Sequence, residues 1–155
     1  MIVVSDTSPI TSLLQTGHGE FLPILFGEVL IPPAVQAELL RFHATLPDWS
    51  RVRPIVDQRQ ADDLGDRLDQ GEAEAIVLAE ECRADYLLID EKLGREQAEA
   101  RGLTAIGLLG VLLLAKRAGH LASVADVIDQ LQTVAGFFVS DRVKSMVLQA
   151  AGEMP

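Results

Sequence analysis

The chain has 155 residues, 48% apolar and 23% charged, which is enough for one domain with a proper core and unlike a disordered polymer. Thirteen basic residues against 23 acidic ones leave a formal charge of −10, which argues against a passive nucleic-acid-binding module with a basic footprint. That balance leaves room for an enzyme that handles phosphates through metal ions held by its own carboxylates, or for an arginine-bearing partner. The longest apolar stretch, AIGLLGVLLLA (105–115), falls short of the ~20 residues of a membrane span, and the N-terminus lacks a basic signal-peptide region. The single cysteine, Cys82, cannot form an internal disulfide and reads as a small core residue; no zinc-type Cys/His spacing occurs. A soluble cytoplasmic protein without a membrane partner is expected.

In chain order, IVVS (2–5) is a β-branched run expected as a strand, and DTSPI gives a turn with Pro9 at the first position of a helix over ITSLLQ. The Gly17–Gly19 break ends that helix, and GEFLPILF reads as another. EVLIPP (28–33) is a second short strand, with Pro33 opening a helix over 34–42. The stretch from Leu46 to Gln60 is irregular, with a short strand expected over 52–56. There follow a polar helix (60–69), a strong helix (71–84), the strand YLLI (86–89) and a helix over 91–101 stopped by Gly102. A strand near 103–106, an apolar helix (108–116) and two amphipathic helices, 123–134 and 140–150, complete the chain. Strands alternating with helices predict an α/β fold whose parallel sheet is covered on both faces. A single domain over 1–155 is expected, with about 121–155 as a helical extension.

Most of the 23 acids suit solvated faces, but four sit in unusual places. Asp6 and Asp90 directly follow short apolar strands, and ligand sites in open parallel sheets lie outside the carboxyl ends of strands. Each is either a turn or helix-cap residue or a site ligand. Ser8, just before Pro9, is the expected cap of the first helix, which would free Asp6. Glu72 shares a helix face with Ile76 and Ala79, at the end of an apolar stripe, whereas Glu74 is roughly 200° around the helix on the expected wet side. Glu72 in a first turn also suits the helix N-terminus. Glu38 borders the buried stripe of its helix between Val35 and Phe42, and Arg41 is its alternative partner. If the four acids converge, they repel one another, and a hard divalent cation such as Mg²⁺ resolves the conflict. Such a site suits phosphodiester hydrolysis.

At these residues the sequence resembles a PIN (PilT N-terminus) domain, the fold of many prokaryotic toxin ribonucleases of the VapC type. The matching pieces are VVSDTSPI, IPPAVQAELL, GEAEAIVLAEE and ADYLLIDEKLGREQAEARGL, in order over roughly residues 1–120. IGLLGVLLLAKRAG resembles one branch in which GEAEA replaces the usual Asp-containing helix start. The resemblance implies a three-layer α/β/α fold with a central parallel sheet, and an endoribonuclease using Mg²⁺ or Mn²⁺. It implies Asp6, Glu38, Glu72 and Asp90 as catalytic metal ligands. Thr7 and Ser8 correspond to the hydroxyl residues that often follow the first acid and orient it or a metal-bound water, and both are candidate substrate contacts. An RNA substrate, a homodimer and a cognate antitoxin are implied by the family alone. Two departures stand out: the third acid is Glu instead of Asp, and the further acid many members carry is Lys92 or Leu93 here, with Glu91 as a substitute.

Lys92 and Arg95 are candidate substrate-phosphate contacts. Arg95 can reach back over the first turn toward Asp90, or bridge Glu91 or Glu99 on the surface. A haloacid-dehalogenase phosphatase needs a second acid where Ser8 stands, and no P-loop or dinucleotide glycine pattern occurs. The rival reading is a PIN-like module that binds RNA or a protein partner without cutting.

Overall fold

Five short strands form one fully parallel sheet in the computed structural model, which describes residues 1–154. They are β1 (Val3–Ser5), β2 (Val29–Ile31), β3 (Ser50–Val52), β4 (Tyr86–Leu88) and β5 (Ala105–Ile106), in the order β3-β2-β1-β4-β5. Parallel neighbours need crossovers, and helices supply them: α1 (Thr7–Gln15) and α2 (Phe21–Phe26) after β1, and α3 (Pro33–Phe42) after β2. Next come α4 (Gln58–Leu64) and α5 (Gln70–Glu81) after β3, then α6 (Lys92–Ala100) after β4. The chain ends in α7 (Leu108–Arg117), α8 (Val124–Thr133) and α9 (Asp141–Ala150). The result is the expected three-layer α/β/α arrangement.

Strand alternation divides the core. Val3 and Leu88 pack with Ile10, Leu22, Leu108 and Leu112 on one face of the sheet, together with Val124, Ile128 and Leu131 of α8. Val4, Leu87 and Ile89 pack on the other face with Ile76, Leu78 and Ala98. The chain leaves β1 toward β2 on one side and returns to β4 on the other, so the switch point lies between β1 and β4. The crevice at the carboxyl ends of these strands is the expected place for a ligand.

Several boundaries differ from expectation. β3 runs over 50–52 instead of 52–56, because Arg53 N–H makes the last bond to β2, at 2.9 Å from Ile31 O, and Pro54 has no N–H to offer. Helix α4 begins at Gln58 because the Asp57 side chain caps it, accepting from Gln60 N–H. Pro9 is the third residue of α1, not the first. Cys82 ends α5 half-buried instead of lying within the core. Among the described residues, no helix is long and apolar enough to cross a membrane.

Candidate functional site

Asp6 continues β1 for one step beyond its last residue: its N–H donates to Leu88 O at 2.9 Å while the chain turns into α1. It occupies the N-cap position, yet its side chain makes no capping hydrogen bond. Ser8 is not the cap either, being an exposed residue inside the helix. The Asp6 carboxylate, 4% exposed, is thus left for another role.

Its neighbours come from two helices. Pro32-Pro33 fixes the entry to α3, which carries the half-buried Glu38. Gly71, in the first turn of α5, makes room for both acids. A Cβ at Gly71 would collide with Glu38 Oε1 and lie 3.3 Å from Asp6 Oδ1. Only a glycine permits that approach.

The next residue, Glu72, is 5% exposed. Asp69 and Glu72 form a reciprocal capping box, in which Glu72 N–H donates to Asp69 Oδ1 at 2.8 Å and Asp69 N–H to Glu72 Oε1 at 3.2 Å. The other oxygen, Glu72 Oε2, is buried without a partner, 3.1 Å from where a Cβ on Gly94 of α6 would stand. One Glu72 oxygen therefore has the helix-start role that its position suggested, and the other is left buried and unbound.

Electrostatics tie these groups together. Burial, above all, holds the Asp6 carboxyl well above its ordinary value; the Thr7 backbone N–H opposes this, while Asp69, Glu72 and Glu38 push it up further. Glu38 is raised by burial, against the pull of the Thr7 hydroxyl and Arg41. Burial raises Glu72 to about 7, with the negative charges of Asp69 and Glu91 adding to it. Asp69, exposed at the rim, adds its negative charge to the causes that raise Asp6, Glu38 and Glu72, and it was not among the acids singled out in the sequence. Its signal was the D-x-x-E spacing of a capping box.

Asp90 lies on the adjacent strand but faces the other way. Ser5 pairs with Leu88, so alternation directs Asp6 toward α5 and Asp90 toward α7. Leu108 N–H, at the start of α7, donates to Asp90 Oδ1 at 2.7 Å. Asp90 is a cap, but of a helix 18 residues on and not of α6. Its Oδ2 is buried and unpartnered. Burial raises its pKa, with the Leu108 N–H and then Arg95 pulling the other way. Arg95 does reach back, donating from Nη1 to the Asp90 backbone carbonyl. Lys92 is exposed, 4.0 Å from Glu96. Asp90, Ser8, Lys92 and Arg95 line one cleft of about 900 Å³, whereas Glu38, Asp69 and Arg41 line another of about 560 Å³. The structure thus brings Asp6, Glu38 and Glu72 together, with Thr7 beside them, and turns Asp90 into the neighbouring cleft.

Glu74 corrects the expectation of a wet face. It is 4% exposed, because α5 is covered by α3 on that side. Ala34 N–H donates to its Oε1 at 3.1 Å and Gln70 Nε2 to its Oε2 at 3.1 Å.

Buried polar atoms are normally satisfied. Three here have no hydrogen bond of normal geometry: Glu72 Oε2, Asp90 Oδ2 and Thr7 Oγ1, the last lying beside Glu38 close enough only to lower its pKa. All three are oxygens, and the crowded carboxyls are raised in pKa, so the donor chemistry fits a hard divalent cation. No three His, Cys, Asp or Glu side chains among the described residues stand at ligating geometry together.

Fold and site define an α/β/α protein with an oxygen-only, acidic site at the switch point of its sheet. The sequence matches the model of the DUF3368 family, a PIN domain, over residues 2–153, and the chain belongs to the PIN-domain family. PIN domains are generally nucleases, and typically use divalent metals. No curated protein matches the chain.

Proposed function

We propose that the protein is a Mg²⁺- or Mn²⁺-dependent endoribonuclease of the VapC-like branch that carries a GEAEA motif. The observation that carries this reading is the packing of buried Asp6 and half-buried Glu38 around Gly71, with the free oxygen of Glu72 nearby. Asp6, Glu38 and Glu72 would hold a divalent cation, which would polarise a phosphoryl oxygen and acidify a water molecule; Asp90, whose carboxyl opens on the neighbouring cleft, is the fourth acid of the proposal. Thr7 orients Glu38. Ser8, Lys92 and Arg95 meet the RNA backbone, so Arg95→Ala weakens RNA binding chiefly at low salt.

As a cytoplasmic toxin, the protein would act as a homodimer and be held by a cognate antitoxin, whose arginines the charge of −10 suits. Residues 1–155 form one domain on this reading, with 121–155 as a helical extension. The test is cleavage of total RNA by the pure protein, with and without EDTA, against Asp6→Asn. Metal-dependent cleavage that Asp6→Asn abolishes is expected; cleavage indifferent to both rejects the reading. The second reading, a PIN-like module that binds RNA or protein without cutting, draws on the lack of three preassembled ligands among the described residues. Binding without any metal-dependent cleavage would favour it.

A further inference from the structure

Helix α3 lacks the usual means of satisfying its own start. Its N-cap is Pro32, which has no side-chain acceptor, and Pro33 has no N–H, so Ala34 carries the first free donor of the helix. That donor is met from another element: Glu74 Oε1, three residues beyond Gly71 on α5, accepts from Ala34 N–H at 3.1 Å. The buried Glu74 charge is in turn balanced by the positive end of the α3 dipole and by Gln70 Nε2 at 3.1 Å.

One turn further along α3, on the same face as Ala34, stands Glu38, which lies against Gly71. The two helices therefore meet twice on facing stripes, Ala34 on Glu74 and Glu38 on Gly71. The first contact sets the axial register that the second requires.

We infer that Glu74 is a positioning residue that seats α3 on α5 and so places Glu38 beside Asp6. It touches neither substrate nor cation. This rests on the nuclease reading for its consequence but not for its geometry. Glu74→Gln keeps an amide oxygen for Ala34 N–H, and the Gln70 amide can turn to accept from it. Glu74→Ala leaves both unpaired.

Hydrogen exchange of the 33–42 segment, with the 58–64 segment as internal reference, reads the seating directly. Mn²⁺ titration and RNA cleavage, far below the melting temperature, read its consequence. Glu74→Ala should quicken exchange in α3 and weaken Mn²⁺ binding and cleavage ~10–100-fold, as loss of a supporting residue does. Glu74→Gln should restore most of each. Unchanged α3 exchange in Glu74→Ala would overturn the inference, as would faster exchange with undiminished Mn²⁺ affinity. A wild-type protein that neither binds Mn²⁺ nor cleaves RNA would reject the nuclease reading and, with faster α3 exchange in Glu74→Ala, leave the seating role supported.

Discussion

Glu72 offers the sharpest test of the crowded site, because one substitution can remove its charge and keep its cap. Gln at the third helical position serves a capping box as Glu does, so Glu72→Gln still accepts from Asp69 N–H. The carboxyl is raised from 4.5 to about 7, with burial first among the causes. The folded protein therefore holds this proton more tightly than the unfolded chain. Between pH 4.5 and about 7, stability must fall as pH rises; the loss is complete above that window and absent below it. The whole shift is worth roughly 3 kcal/mol, and solvent screening of the exposed Asp69 and Glu91 charges cuts this to about 1–2 kcal/mol.

For a chain of this length that is a difference of roughly 2–8 °C in melting temperature. In EDTA, Glu72→Gln should melt with wild type near pH 4 and above it near pH 8.5. Millimolar Mn²⁺ should reverse the order by raising wild type more, since a ligand of the folded state stabilises by mass action. Thermal melts of the two proteins across pH, with and without metal, decide the matter. If wild type melts higher than Glu72→Gln near pH 8.5 in EDTA, the carboxylate is a stabilising cap and the crowding argument fails.

Asp90→Asn keeps an oxygen for Leu108 N–H and removes a charge that burial disfavours, so it should melt at or above wild type while losing cleavage; Asp90→Ala should be about 0.5–2 kcal/mol less stable than Asp90→Asn, and equal melts of the two variants would contradict the capping role. Gly71→Ala drives a methyl group into Glu38 Oε1, so it should cost about 1–3 kcal/mol and weaken Mn²⁺ binding, as denaturant melts and metal titration would show; a neutral outcome would mean α3 yields freely. Glu153 accepts from Val124 N–H at 2.7 Å and Ala125 N–H at 3.0 Å and pairs with Lys116 at 3.0 Å. These contacts lower its pKa, so the stability it adds is present above the ordinary value of 4.5 and lost as pH falls through the lowered one. Glu153→Gln should accordingly lower the melting temperature at pH 7 and converge on wild type in acid.

The alternation of short apolar runs with amphipathic segments was sufficient to predict a covered parallel sheet, and composition placed the chain among globular proteins. Asp6 and Asp90 stood out because an acid directly after a buried strand has few ordinary reasons to be there. Those are local signals, legible because backbone periodicity and turn chemistry are written residue by residue. Only the tertiary structure decided what each acid meets. Asp90 caps α7 across 18 residues, a pairing that depends on β4 lying beside β5. Glu74 looked solvated because a helix was assumed to have one buried face, whereas every residue from Gly71 to Ala79 is buried. The nearly uniform small and apolar composition of that segment was the available hint, since a helix without a polar stripe is covered all round. Which helix covers it, and whether a glycine there admits a neighbouring carboxylate, follows from long-range packing that no local pattern encodes.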